Sequence, residues 1–412
     1  MMDVLDRLRS MTAEDLAPIV QRALGIEGAW PSSWSCTPLS TALVNPVTVG
    51  LFRLEGEATV RGQSPVPWIV VLKVVADVDF AGSGLADGYS QRPEDWNYWN
   101  REAVVYRSGF LDHFKGPLTA VRCLGDAEVE AGQSWLWLKA LDGAAPRSRW
   151  SLPELAHSAY DLGAFAAQGV SQVDELESYD WAARRWLRGW VRSIEAIGAE
   201  HARDHAGCWQ HPLLATVLPR AAHGRYRDLM ADAAQLLDLY ESLPRTVAHQ
   251  DTQGSNLFRL QSPRGRPSTV AIDWSFVGSA PVGHDLGSHL AGNIHNRVID
   301  PFAAAEHDAT ATDAYLRGLR DFGWSGDERQ VLFARAAAAS LQIGTFYALH
   351  LSRLCPEAFQ DEPPDEDEPS WPEEVAHREN VDIADVMSRW CAGFDYMLHL
   401  GDEARRLART VR

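Results

Sequence analysis

The chain has 412 residues, 46% of them hydrophobic, with a formal net charge of -18; that size and composition give two or three compact units with real cores and exclude a disordered chain. The acidic balance repels phosphate backbones, so no nucleic-acid partner is expected, and no stretch approaches the roughly 18 uninterrupted apolar residues of a membrane span. Five scattered cysteines without a CxxC pair exclude a disulfide framework and a zinc ribbon. The opening MMDVLDRLRSMTAEDL has acidic residues where a secretory leader needs a basic and then an apolar run, so a cytoplasmic location is expected.

Residues 3 to 24 carry apolar side chains at helical spacing, with Thr12 ahead of Glu14 and Asp15 as the start of a second helix. From Ser35 to Val75 the texture turns to short β-type runs, LFRL at 51 to 54 and WIVVLKVV at 68 to 75, parted by Gly, Pro and Asn turns, which reads as antiparallel sheet. A polar loop at 76 to 96 leads into a helical pattern at 96 to 111. SWLWLKALDG at 134 to 143 is a further strand that breaks at Asp142 and Gly143. Beyond Pro153, helices are expected over 153 to 168, 181 to 198, 212 to 240, 310 to 322, 327 to 354 and 376 to 409. A polar loop and β-hairpin at 246 to 260 and 268 to 277 interrupt them. The acidic stretch 360 to 374 is the most disorder-like segment and reads as a solvated loop.

Only three of the 38 basic residues are lysines, Lys73, Lys115 and Lys139, an arginine bias that suits a high-GC bacterial genome. A lysine kept inside an apolar strand therefore marks a need for a compact, mobile ammonium. Lys73 lies in VVLKVV, and Glu102 on the next helical stretch is its natural partner, because burying an unpaired ammonium is costly. His249 to Asn256, HQDTQGSN, has the form H-x-D-x-x-x-x-N, and Asp273 follows in Ile272-Asp273-Trp274. Phosphoryl transfer needs these types: a carboxylate to take or orient the proton of an attacking hydroxyl, and an amide oxygen with a second carboxylate to hold a hard cation. Asx turn chemistry is the competing account of Asp251, Asn256 and Asp273, but it explains neither Lys73 nor the order of the parts.

At this point the chain resembles, from about residue 35 to 295, the aminoglycoside phosphotransferase and choline kinase group of protein-kinase-like small-molecule kinases. LWLKALDG and the helix ending DLGAFAAQG, the loop HQDTQGSN, and IDWSFVGSAPVGHDLG carry the resemblance. It implies an α+β, protein-kinase-like two-lobe fold: N-terminal helices and a small antiparallel sheet lobe over 1 to 138, a hinge at 139 to 143, and a larger, mainly helical lobe over 144 to 412. It implies Asp251 as catalytic base, Asn256 and Asp273 as magnesium (Mg2+) ligands, Lys73 with Glu102 as the phosphate-positioning pair, and His249 and Asp285 as supports. Nucleotide contacts would come from Ser40 and Thr41 before the second strand and from Leu138 and Ala140 at the hinge. By the same resemblance the donor would be ATP or GTP. The acceptor would be a small-molecule hydroxyl, with an aminoglycoside or aminocyclitol antibiotic, hence a resistance role, expected ahead of a sugar or amino alcohol; a catalytically silent pseudokinase is the alternative. Nothing in the sequence fixes an oligomeric state.

Trp274, His289 and Asn293 are candidates to face the acceptor, with Asp300 beside them. Two features depart from the resemblance. The loop PLSTALVNPVT lacks glycines, so backbone amides approach phosphates less freely, and Trp274 after Asp273 argues against a protein-kinase activation switch. A second candidate site is His201, His205, Cys208 and His211, a set of types that binds zinc. Trp181, Trp186 and Trp190 suit stacking on a sugar or amine, although core packing is the favoured reading.

Overall fold

The computed structural model describes residues 4–39, 47–62, 64–77, 88–141, 150–214, 217–260, 267–355 and 370–411. Two helices open the chain, α1 (Val4–Ser10) and α2 (Ala13–Leu24). Thr12 starts α2 through a reciprocal capping box with Asp15, and Gly25 ends it in the left-handed conformation. Then come β1 (Trp30–Pro38), β2 (Thr48–Thr59) and β3 (Val66–Ala76), followed by helix α3 (Arg101–Ser108), the short strand β4 (Leu118–Ala120), β5 (Cys123–Glu130) and β6 (Gln133–Lys139). Five of the strands form a wholly antiparallel sheet in the order β1-β2-β3-β6-β5. Leu54, Val70, Leu72, Val74, Trp135 and Trp137 pack on one face with Leu8, Leu16 and Val20 of the opening helices. Side chains alternate along a strand, so Lys73, central in β3 between Leu51 and Leu136, belongs with Val71 on the opposite face.

That face turns toward a helical body of α4 (Leu152–Gly169), α5 (Val173–Ser178), α6 (Trp186–Ile194), α7 (Glu200–Asp204), α8 (Ala222–Glu241), α9 (His284–His295), α10 (Ala304–Asp321), α11 (Glu328–Ser352), α12 (Trp371–Glu379) and α13 (Ile383–Leu407). Helices α4 and α10 cross closely. A Cβ on Gly163 would come 2.2 Å from the Tyr315 carbonyl oxygen, and one on Gly318 would come 2.1 Å from that of Tyr160. Between α8 and α9 the chain lays down β7 (Arg245–Ala248), β8 (Leu257–Leu260), β9 (Ser268–Ala271) and β10 (Gly278–Pro281). β7 pairs with β10, β8 pairs with β9, and β4 joins β9 in parallel to make a three-stranded sheet. A small core of Ala103, Val121, Leu136, Leu138 and Val270 fills the seam between the large sheet and β9.

Several elements differ from expectation, each for a local reason. Helix α3 begins at Arg101 rather than 96, because the carbonyls of Pro93, Asp95 and Trp96 bond the Arg101 guanidinium. α6 begins at Trp186 because Ala183 pairs with the start of β10, its N–H on the Val277 carbonyl at 3.1 Å and its carbonyl on the Ser279 N–H at 3.2 Å. α8 begins only at Ala222, beyond Pro219. The expected helix over 376 to 409 is two, since Asn380 sits at φ 54° and Asp382 caps a new start. Asp142 and Gly143 of the expected hinge lie outside the described residues, as does 360 to 369 of the acidic stretch. Among the described residues no helix is long and apolar enough to cross a membrane.

Candidate active site

The loop after β7 is held in shape by the first turn of α9. Asp285 accepts the backbone N–H of His249 on one carboxylate oxygen and that of Gln250 on the other, both at 2.9 Å, and its carbonyl accepts the Thr252 hydroxyl at 2.7 Å. Burial pushes the Asp285 carboxyl up to about 6, against the pull of those two N–H groups. His249 bonds the Ile272 carbonyl through Nε2 at 2.8 Å and accepts the Asp251 N–H on Nδ1 at 3.2 Å, an arrangement that fixes one neutral tautomer. Its burial outweighs the Ile272 bond and carries the imidazole down to about 4. Gln250, next to the expected base, sits at φ 71°, a left-handed conformation rare outside glycine. Its side chain donates to the Phe276 carbonyl at 2.9 Å.

Asp251 follows with its carboxylate tied on one side. Its Oδ2 accepts the Asn256 amide at 2.8 Å and the Gln253 amide at 3.2 Å, and Gln253 in turn accepts the Asn296 amide at 2.6 Å. Burial, and after it the charge of Asp273, raises the Asp251 carboxyl to about 7, with the two amides opposing. Asn256 spends its NH2 on Asp251, which turns its amide oxygen away from that carboxylate. The Asn256 carbonyl accepts the Ile272 N–H at 2.9 Å, so Asn256 stands beside the residue before Asp273.

Asp273, at φ 60°, accepts the Ser275 hydroxyl at 2.7 Å and the Lys73 ammonium at 3.0 Å on Oδ1. Lys73 also pairs with Glu102 of α3 at 2.6 Å. Lys73 is 7% exposed and Glu102 1%. Burial works against the Lys73 charge, but Asp273 and Glu102 outweigh it and hold the ammonium above its ordinary range. The same ammonium and Ser275 hold the Asp273 carboxyl below its ordinary value despite burial. An amide oxygen and a carboxylate at adjoining strand ends are hard oxygen donors, a set that fits a hard divalent cation.

Lys73, Glu102, His249, Asp251, Asn256, Asp273 and Asp285 are thus brought together. Other expected residues are not. Trp274, His289 and Asn293, expected to face an acceptor, are wholly buried, which corrects that reading. Trp274 packs on His249, His289 bonds the Thr252 carbonyl at 2.7 Å, and Asn293 accepts the Gly254 N–H at 2.8 Å, so the last two brace the loop from beneath. Asp300 caps a turn and pairs with Arg389. Leu138 packs in the seam core and Ala140 follows half-buried; Ser40 and Thr41 lie outside the described residues. The His201 and His205 rings stack at 4.1 Å, and among the described residues no group of three or more His, Cys, Asp or Glu is placed to hold a metal ion. Trp181 and Trp186 are core, and half-buried Trp190 donates to the Gln342 carbonyl. Sequence reasoning passed over Gln253 and Ser275, each two residues after an aspartate it had singled out, and Tyr89, whose half-buried phenol feels Asp273, Lys73 and Asp251.

No protein-family model and no curated protein matches the chain. Solved structures are similar to it along most of its length. Amicoumacin kinase hAmiN, in complex with AMP-PNP, Ca2+ and Ami, is 15% identical, covering 86% of this chain and 87% of its own, at a TM-score of 0.43. A choline/ethanolamine kinase family protein from Mesorhizobium loti is 14% identical, with 84% and 89% covered and a TM-score of 0.42. An aminoglycoside-3'-phosphotransferase of type VIII is 20% identical, with 78% and 97% covered and a TM-score of 0.39. At these identities and TM-scores the likenesses carry no weight for the site, which stands on its own geometry.

Proposed function

We propose that the chain transfers the terminal phosphoryl group of ATP or GTP to a hydroxyl of a small molecule. One observation carries the reading: Lys73, from the middle of the sheet, is paired at once with Glu102 of α3 and Asp273 behind β9, while Asp251 and Asn256 stand on the adjoining strand end. Glu102 holds the Lys73 ammonium where it meets the donor phosphates. Asp251, with Oδ2 fixed by two amides and a carboxyl near 7, keeps its other oxygen for the acceptor's hydroxyl proton. Asn256 and Asp273 would hold magnesium, which when bound neutralises charge on the phosphate oxygens. Catalysis is mainly positioning and charge neutralisation in a site already folded for it.

The aminoglycosides and aminocyclitols come first among acceptors, on the motif resemblance and the charge of -18, which favours a cationic partner. A coupled nucleotide-consumption screen over aminoglycosides, aminocyclitols, sugars and amino alcohols, with Asp251→Ala as control, tests reaction and acceptor together. Magnesium-dependent nucleotide binding with no turnover on any acceptor would replace the enzyme by a pseudokinase.

A further inference from the structure

We propose that Arg101 is a positioning residue of this site, a buried clasp that keeps α3 docked, and Glu102 against Lys73, before any nucleotide arrives. Its consequence for turnover rests on the function proposed above; the clasp itself does not. Arg101 is among the largest wholly buried side chains, and among the described residues no carboxylate is in ion-pair contact with it, although the Asp95 charge acts on it from farther off. Its guanidinium donates instead to backbone carbonyls: Trp181 at 2.6 Å, Trp96 at 3.0 Å, Ser275 at 3.1 Å, Pro93 at 3.5 Å and Asp95. Burial lowers its pKa to about 9, which leaves it charged at neutral pH. A cation taken out of water with no carboxylate in contact is tolerated only where its N–H groups are met, and the fork of an arginine can span several carbonyls where an ammonium cannot.

Those carbonyls come from three places: the turn before α3, the segment before α6, and the loop behind Asp273. The contacts close into a ring. Glu102, the covalent neighbour of Arg101, pairs with Lys73; Lys73 pairs with Asp273; Asp273 accepts the Ser275 hydroxyl; and the Ser275 carbonyl accepts Arg101. Asn100, at the start of α3, makes no side-chain capping bond, so α3 is held at this end by the Arg101 contacts to neighbouring segments and not by a cap. Swinging α3 away means leaving a buried guanidinium without the Ser275 and Trp181 oxygens. The Lys73–Glu102 pair is therefore a built-in state rather than a switched one.

Hydrogen exchange on the unliganded full chain tests the clasp independently of the reaction. Amides of Arg101–Ser108 are expected to exchange slowly in wild type, with or without MgATP, and at least about tenfold faster in Arg101→Met, while α10 and α11 keep their protection. Unchanged α3 exchange in the variant overturns the proposal. For turnover, read as MgATP consumption with water or a screened acceptor, Arg101→Met and Glu102→Gln each lower kcat roughly 10²-fold, and the double variant is no slower than Glu102→Gln alone. Multiplying losses overturn it. Arg101→Lys, which keeps the charge without the fork, is expected to fall between wild type and Arg101→Met in both readouts, and it decides the matter if the methionine variant does not fold. A wild type that consumes no nucleotide on any acceptor sinks the proposed function, and the exchange result still decides the clasp.

Discussion

Asp285→Asn offers the sharpest separation of shape from chemistry in this site. The carboxylate accepts two backbone N–H groups, one on each oxygen, both at 2.9 Å. An asparagine in the same place accepts one of them and turns an NH2 toward the other. The lost charge-assisted bond is worth about 1.5–3 kcal/mol, and the buried N–H left facing a donor costs about 1–3 kcal/mol more. Removing a buried carboxylate that burial has already pushed up to about 6 offsets part of this. The expected net is an unfolding free energy lower by about 2–4 kcal/mol, read from urea titration. The catalytic effect has a different origin. Gln250 is held at φ 71° partly by its N–H bond to Asp285, and that conformation costs a non-glycine residue about 1–2 kcal/mol. Freed of the bond, the loop relaxes and Asp251, the next residue, moves. A displacement near 1 Å lowers kcat roughly 10²-fold. Lys73, Glu102 and Asp273 are untouched, so KM for nucleotide stays within about threefold. A variant that loses the stability but keeps kcat within about twofold of wild type would refute the link between loop shape and chemistry.

The other expectations are more direct. Asp251→Ala slows turnover roughly 10²- to 10⁴-fold in the coupled assay, and an unchanged rate removes Asp251 from the mechanism. Lys73→Met leaves Glu102 and Asp273 facing each other without their cation; it lowers stability by about 3–5 kcal/mol in a denaturant titration and raises KM for nucleotide, and undiminished nucleotide affinity would argue that Lys73 never meets the phosphates. With the Asp251 carboxyl at about 7, and deprotonation needed for it to act as base, kcat/KM is expected to rise with pH along an acidic limb centred near that value. His249, carried down to about 4, stays neutral throughout, so a limb that survives Asp251→Ala would assign it elsewhere.

The capping box at Thr12, the long strands β2 and β3, and the H-x-D-x-x-x-x-N loop were legible because each is a local pattern with a fixed spacing, and Lys73 because it is a lone lysine inside an apolar strand. What escaped depends on the far side of the chain. The periodicity at 96 to 111 is genuine, but the carbonyls that would continue α3 backward are taken by Arg101. β4 and β10, of three and four residues, are too short for alternation to register. His289 and Asn293 read as candidates to face the acceptor because they are polar and follow the catalytic strands. Yet α9 is buried from His284 through Ile294, and its polar side chains serve the loop's backbone rather than a ligand.

Strand β4 has an implication for anyone dividing this protein. Leu118–Ala120 comes before β5 and β6 in the chain but lies in parallel register with Thr269–Ala271 of β9, extended by the Val121 N–H on the Ala271 carbonyl at 2.9 Å and the Thr269 N–H on the Pro117 carbonyl at 2.8 Å. A cut after residue 138 would strip β9 of a neighbour and bare a row of amide and carbonyl groups along an apolar ribbon, an invitation to intermolecular pairing. Fragment expression at that boundary should yield insoluble material from the C-terminal piece, rescued by co-expression with the N-terminal one.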